Sequence, residues 1–110
     1  MRIIFAPEVN NYLDFLMETL FEKEYFGFQD SAYNYVKELV DDILSNLTTR
    51  QHKPASSFFE RYGDDLHYAS FTKNKRTTWY AFFTKYQDEN GDIVYLIRYV
   101  ANNHTVAQYL

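Results

Sequence analysis

The chain has 110 residues, a net charge of −4 with a pI near 5.2, and no cysteine. Its length suits one domain over residues 1–110, and a hydrophobic content of 46% is too high for a disordered chain. The lack of cysteine excludes disulfides, thiolate catalysis and cysteine-based zinc sites, and the acidic balance argues against broad nucleic-acid binding.

The chain begins with a segment that predicts one strand and one helix. Residues 1–5 form a short apolar run that predicts a strand ending before Pro7. Apolar side chains then recur at helical spacing from Val9 to Phe21, which predicts an amphipathic helix with one buried stripe. The pattern breaks over residues 24–30, where we expect a loop.

A second and clearer helix is predicted between Ala32 and Leu47. Asp30 or Ser31 suits its N-cap, and Pro54 lies beyond its end. Two apolar stripes joined by a short loop predict a helical hairpin. Since neither helix can bury its stripe on the other alone, we expect a sheet beneath them.

The second half of the chain predicts an antiparallel sheet with a strong hairpin signal at Asn90-Gly91. The fold class expected is therefore α+β: an N-terminal strand, a helical hairpin, and an antiparallel β-meander packed on the helices. The predicted segments are a connector over 50–65, strands over 66–73, 77–86 and 93–101, turns over 74–76 and 87–92, and a tail from 102 to 110 that forms one helical turn or a lid. The predicted core includes Leu13, Leu16, Leu20, Val36, Leu39, Ile43, Trp79 and Ile97.

Both faces of the strand over 77–86 are apolar. Trp79, Ala81 and Phe83 alternate with Tyr80, Phe82 and Tyr86. Helices on one side of a sheet explain only one apolar face. The second aromatic face is either a surface for a partner, a dimer contact or a binding cleft, or it is roofed by the connector and the tail.

The composition also limits membrane and cofactor chemistry. No apolar stretch approaches the roughly 20 residues that cross a bilayer, and the N-terminal apolar run is too short for a signal peptide. We therefore expect a soluble cytoplasmic protein with no membrane partner. The three histidines lack metal-ligand spacing, and three glycines form no phosphate loop, so neither a metal nor a cofactor is expected.

The run KRTTWYAFFTKYQDENGDIVYLIRYVANNH, residues 75–104, resembles the third and fourth strands of the RelE/ParE toxin superfamily. In both, a basic residue opens an aromatic strand, a hairpin follows, and a hydrophobic strand ends in polar or basic residues. The opening RIIFAPEVNNYLDFL resembles the usual start of these toxins. The resemblance implies a toxin of a bacterial type II toxin–antitoxin pair, with a cognate antitoxin as partner and either ribosome-bound mRNA or DNA gyrase as target.

The resemblance also implies site residues for an mRNA-cutting member. Arg76 matches the basic residue that stabilises the cleaved phosphate, and His104 matches an acid or base near the end of the last strand, with Tyr99 as a substitute. Glu60, Lys73 or Lys75 corresponds to the central base of other members. The candidates are thus Arg76, His104 and Lys75 for catalysis, and Lys73, Arg98, Tyr99 and Asn103 for substrate binding.

The hairpin itself brings two of these candidates together. Arg76 and His104 lie at similar distances on either side of the Asn90-Gly91 turn, so they should be neighbours in space, flanked by Lys75 and Asn103. Such a cluster offers a cation, a titratable ring and amide donors to a phosphate diester. The alternative is that these are ordinary polar residues at strand ends.

Arg98 stands apart because it interrupts an apolar stretch of the last strand. A charge in that position should be paired or functional, and a structural or partner-binding salt bridge is the favoured interpretation. Across the whole chain, the function expected is a RelE/ParE-like toxin, acting as an endoribonuclease or a gyrase inhibitor. The alternative function is a non-catalytic interaction module or homodimer that uses the aromatic sheet face.

Overall fold

The computed structural model describes residues 1–22 and 29–110, with the side chains of residues 29 and 30 left aside. In chain order its elements are β1 (Arg2–Phe5), α1 (Pro7–Glu22), α2 (Gln29–Asn46), β2 (Lys53–Pro54), a 3-10 helix (Ser57–Tyr62), β3 (His67–Thr72), β4 (Thr78–Gln87), β5 (Ile93–Asn102), α3 (Asn103–Val106) and a final 3-10 turn (Ala107–Tyr109). The strand order in the sheet is β1-β5-β4-β3-β2.

The predicted α+β fold class is confirmed, with two differences in the sheet. Strands β3, β4 and β5 form the expected antiparallel meander, but β1 pairs with β5 in parallel, from Arg2 opposite Val94 to Phe5 opposite Ile97. The sheet is therefore mixed. The short strand β2, which the sequence analysis assigned to the connector, adds a fifth strand beside β3.

The helices begin and end close to their predicted bounds. Helix α1 starts at Pro7, whose missing N–H and fixed φ suit the first helical position. Helix α2 begins at Gln29, so Asp30 and Ser31 lie inside the helix rather than at its N-cap. Most of the expected loop over 24–30 lies outside the described residues.

The main core lies between the helical layer and one face of the sheet. Trp79, Ala81 and Phe83 of β4 point into it, and each is at most 2% exposed. Six of the eight predicted core residues are buried there. Leu16 and Leu20 of α1 are only partly buried, because they pack at its margin.

The second aromatic face is covered by the chain itself. Phe82 is fully buried beneath Phe59 of the 3-10 helix, with ring centroids 4.3 Å apart. Val106 of α3 joins the same cluster, together with Tyr68 of β3. The structure therefore supports the second alternative, in which the connector and the tail cover this face of the sheet. The tail forms a helical turn, as expected.

Candidate functional site

The start of β4 and the end of β5 are neighbours, as the hairpin count predicted. The Asn103 Nδ2 amide donates to the Arg76 carbonyl oxygen at 3.1 Å, and its Oδ1 accepts the Thr78 N–H at 2.9 Å. The His104 Nε2 lies 3.3 Å from the Thr77 hydroxyl oxygen. Arg76, His104 and Asn103 therefore form one cluster, named here the strand-end cluster.

Much of the strand-end cluster is occupied with holding the backbone. Both amide atoms of Asn103 are used, and the Asn74 side chain accepts the N–H groups of Arg76 and Thr77. These contacts close the β3–β4 turn against the end of β5. The side chains of Arg76 and His104 remain exposed on its surface.

The two lysines assigned to the site lie in different surroundings. Lys73 points to the helical layer, where its ammonium is 2.9 Å from Glu38 and 4.6 Å from the centre of the Tyr35 ring. Lys75 lies in the β3–β4 turn and is exposed. The structure brings Lys75 next to Arg76 but does not bring Lys73 into the cluster.

Arg98 and Tyr99 lie elsewhere, in a cleft at an unpaired stretch of β5. Strand β1 pairs with β5 only as far as Ile97, where the Ala6 N–H donates to the Ile97 carbonyl and the chain turns into α1. Beyond that point the described residues place no strand beside this edge of β5. A cleft of about 360 Å³ occupies the space. It is lined by Glu8, Val9, Tyr12, Arg61, Tyr62, Arg98, Tyr99 and Val100.

A β-bulge places Arg98 in this cleft. In the β4–β5 register Phe82 faces Tyr99 and Phe83 faces Ile97, so Arg98 is an extra residue without a partner on β4. A bulge locally reverses which face a side chain takes, and this explains how a charge stands within an apolar strand. Among the described residues no carboxylate lies within 4 Å of Arg98, so the structural form of the expected salt bridge does not occur there, and the partner-binding form stays a prediction.

Gly63 lies next to Arg98, and its backbone conformation rather than lack of space favours glycine there. It follows the 3-10 helix with φ +154°, a region that favours glycine. A Cβ at this position would lie 3.7 Å from the Arg98 Cζ and 3.5 Å from Leu66. The guanidinium thus packs against backbone on one side and faces the cleft on the other.

Tyr62 and Tyr99 form a stacked pair on the wall of the cleft. Their ring centroids are 3.8 Å apart and their planes differ by 6°. Burial, followed by hydrogen bonding with Tyr62 and the proximity of Tyr12, raises the pKa of the Tyr99 hydroxyl. Burial, followed by Tyr35, also raises the pKa of Tyr12. The phenols of Tyr99 and Tyr12 are therefore neutral hydrogen-bond donors at neutral pH.

Arg61 is held in place by Phe58. Its Nε donates to the Phe58 carbonyl oxygen at 3.1 Å, and its guanidinium carbon lies 4.1 Å from the centre of that ring. The same ring stacks on Tyr109 of the tail at 3.7 Å. Because only Nε is used among the described residues, the terminal nitrogens of Arg61 remain available to a ligand in the cleft.

Charge is divided between the two layers of the protein. Helices α1 and α2 contain eight acidic residues and a single lysine, whereas the other described residues contain nine basic and six acidic residues. The acidic balance of the whole chain therefore comes from the helical layer. The layer that holds Arg61 and Arg98 has a net positive charge.

Sequence reasoning identified Arg98 and Tyr99 but missed the other cleft residues. Arg61 and Tyr62 were placed in a connector, Tyr12 on the buried stripe of the first helix, and Glu8 before that helix begins. The aromatic residues at Phe58, Phe59 and Tyr62 were a usable signal, because such a group in a connector indicates that it packs on the sheet. The bulge at Arg98 had no signal in the sequence.

The described residues contain no group of three or more histidine, aspartate or glutamate side chains arranged to hold a metal ion. None of the helices in the described ranges is long and apolar enough to cross a lipid bilayer. Comparison of the chain with protein-family models, with curated proteins and with solved structures finds no match in any of the three.

Proposed function

We propose that this chain is a RelE/ParE-like toxin that cleaves RNA, and that its phosphate-binding site is the cleft at the edge of β5. The observation that supports this most is the presence of Arg61 and Arg98 in one cleft with the stacked Tyr62–Tyr99 pair. Guanidinium groups bind phosphate through several fixed donors, and aromatic rings stack on unpaired bases. The expected protein partner, which takes no part in the cleavage, is a cognate antitoxin.

The chemistry proposed for the cleft is transesterification by the 2′-hydroxyl of RNA. The 2′-oxygen attacks the adjacent phosphorus, the bond to the 5′-oxygen breaks, and a cyclic 2′,3′-phosphate forms. Glu8 accepts the proton of the 2′-hydroxyl, and a neutral cleft tyrosine hydroxyl donates a proton to the leaving 5′-oxygen. Arg61 and Arg98 stabilise the negative charge that develops on the phosphate.

The division of charge supports an RNA substrate in spite of the acidic pI. Electrostatic attraction to a nucleic acid depends on local positive potential rather than on the net charge of the chain. Here the sheet layer and connector are positive while the helical layer is negative. RNA would therefore approach the cleft from the side of the sheet and connector, where Arg61 and Arg98 lie, although Glu8 and Tyr12 of α1 also line the cleft.

Expression in a bacterial host tests this function. We expect wild type to arrest growth and to generate new 5′ ends within translated mRNAs, and we expect Arg98→Ala to abolish both while it folds normally. Glu89→Gln, an exposed change in the β4–β5 turn, is the control and should behave as wild type. Arrest without new mRNA ends would instead indicate a gyrase-type toxin, and a wild type that causes no arrest would contradict the toxin function.

A further inference from the structure

The helical hairpin carries an apolar groove between α1 and α2, as far as residues 1–22 and 29–110 describe it. A hollow of about 380 Å³ lies between α1 and α2, with Leu13, Met17, Val36 and Val40 as its apolar lining. Tyr33 also lines it and is 52% exposed. Leu13 and Val36 belong to the main core and Met17 and Val40 pack against it, so the floor of the groove is an edge of that core. None of the residues that line the groove also lines the cleft.

The groove continues toward the end of α1. A second hollow of about 280 Å³ is lined by Met17, Glu18, Phe21 and Glu22, and Met17 is common to both. Phe21 is 41% exposed. From Asn10 to Phe21 the groove follows about three turns of helix, or roughly 17 Å at 1.5 Å per residue. This length matches a partner helix of about three turns.

One rim of the groove is acidic. Asp14, Glu18 and Glu22 are spaced four residues apart, which places them along one side of α1. Helix α1 contains no lysine or arginine. Within the described ranges, none of these three carboxylates forms an ion pair. Lys37 is the single basic residue of α2, and it is bound to Asp41 at 2.8 Å.

We propose that this groove binds a basic amphipathic helix of a partner protein. The apolar floor fits a stripe of leucine or phenylalanine side chains at helical spacing, and the acidic rim fits lysine or arginine at four-residue spacing beside that stripe. A second copy of this chain is a poorer occupant, because its own helical layer is as acidic as the rim. The proposal does not depend on whether the cleft cleaves RNA.

A titration with designed peptides tests the proposal. The probe is a small panel of fluorescein-labelled 18-residue helices with leucine or phenylalanine at i, i+3, i+4 and i+7 and lysine beside that stripe. A matched panel replaces each lysine with glutamate. We expect at least one lysine peptide to bind the full chain about tenfold or more tightly than its glutamate counterpart, with affinity that falls as salt rises.

Two charge-matched variants locate the binding. The triple variant Asp14→Lys, Glu18→Lys, Glu22→Lys should bind the lysine peptide at least about tenfold more weakly than wild type. The triple variant Asp64→Lys, Glu89→Lys, Asp92→Lys changes the net charge equally at exposed sites outside the helices and should retain it. Tyr33→Ala, which removes an exposed ring and no charge, should also weaken binding.

Several outcomes would overturn the proposal. Equal loss in both triple variants would mean that net charge alone attracts the peptides. Failure of every lysine peptide to bind would show that the groove does not accept this class of helix. A stable dimer of the chain that Tyr33→Ala dissociates, measured by sedimentation, would assign the groove to a second copy instead.

Discussion

Tyr62 of the 3-10 helix and Tyr99 of β5 stack with ring centroids 3.8 Å apart and nearly parallel planes. This contact joins the connector to the strand edge that β1 leaves unpaired. It forms one wall of the cleft and places Arg61 and Arg98 on neighbouring residues of the same two segments. The stacked pair therefore helps to hold the proposed phosphate-binding cleft together.

The Tyr99 hydroxyl should ionise later than an ordinary tyrosine. Burial and its contacts with Tyr62 raise its pKa, so the folded state favours the neutral phenol. Stability is therefore unaffected by this group below the ordinary tyrosine pKa near 10 and is lost as pH rises above it. Burial also raises the pKa values of Tyr12 and Tyr80, so absorbance titration at alkaline pH should show a late phase from several tyrosines in wild type. The amplitude of that phase should fall by one tyrosine in Tyr99→Phe.

Tyr86→Phe is the control for that titration, because Tyr86 is 44% exposed on β4. This variant should keep the full amplitude of the late phase. A late phase of the same amplitude in Tyr99→Phe as in wild type would mean that the stacked environment does not hold the phenol neutral.

Helix α2 offers a matched pair of leucines for stability. Leu39 is 2% exposed and packs in the main core, whereas Leu44 on the same helix is 46% exposed. Leu39→Ala should lower the free energy of unfolding by about 2–5 kcal/mol because it leaves a cavity. Leu44→Ala should change it by less than about 1 kcal/mol. Denaturant unfolding measures both, and similar values would contradict the packing of α2.

The β4–β5 turn should contribute stability that depends on pH through Asp88. Burial opposes ionisation of this carboxylate, but the N–H groups of Asp92 and Asn90, followed by Arg2, outweigh it and hold its pKa below the ordinary 3.8. Since the folded value is lowered, the stabilisation is present above that pH and is lost as pH falls below it.

The measurement is the acid unfolding profile of wild type against Asp88→Asn. We expect the variant to be less stable at neutral pH and to lose less stability between neutral pH and pH 3. Glu89→Gln, its exposed neighbour, should follow the wild-type profile. Identical slopes for wild type and Asp88→Asn would show that Asp88 does not carry this pH dependence.

The layout of the fold was predictable because periodicity reports local structure. The stripes of α1 and α2, the Asn90-Gly91 turn and the aromatic alternation of β4 each required only neighbouring residues. The parallel pairing of β1 with β5 was missed, since register between distant segments leaves no local pattern. The same limit applies to the short strand β2.

The site was predictable only in part. Counting outward from the turn correctly placed Arg76 beside Asn103, because antiparallel pairing fixes which residues meet. It gave no means of seeing that Arg98 occupies a bulge, or that Arg61 is carried to the same cleft by the 3-10 helix. Both depend on tertiary packing of the connector on the sheet.

RNA binding by two charge-matched double variants tests most directly whether the cleft holds the phosphate. The probe is a fluorescein-labelled oligoribonucleotide with 2′-fluoro sugars, which cannot be cleaved, titrated by anisotropy at several salt concentrations. Arg61→Ala/Arg98→Ala and Lys75→Ala/Arg76→Ala each remove two cations. We expect the first pair to abolish tight binding and to reduce the salt dependence by about 1.4 in log–log slope, at about 0.7 per phosphate contact. The second pair should bind within about threefold of wild type. Loss of binding in the second pair with retention in the first would contradict the cleft and assign the phosphate to the strand-end cluster.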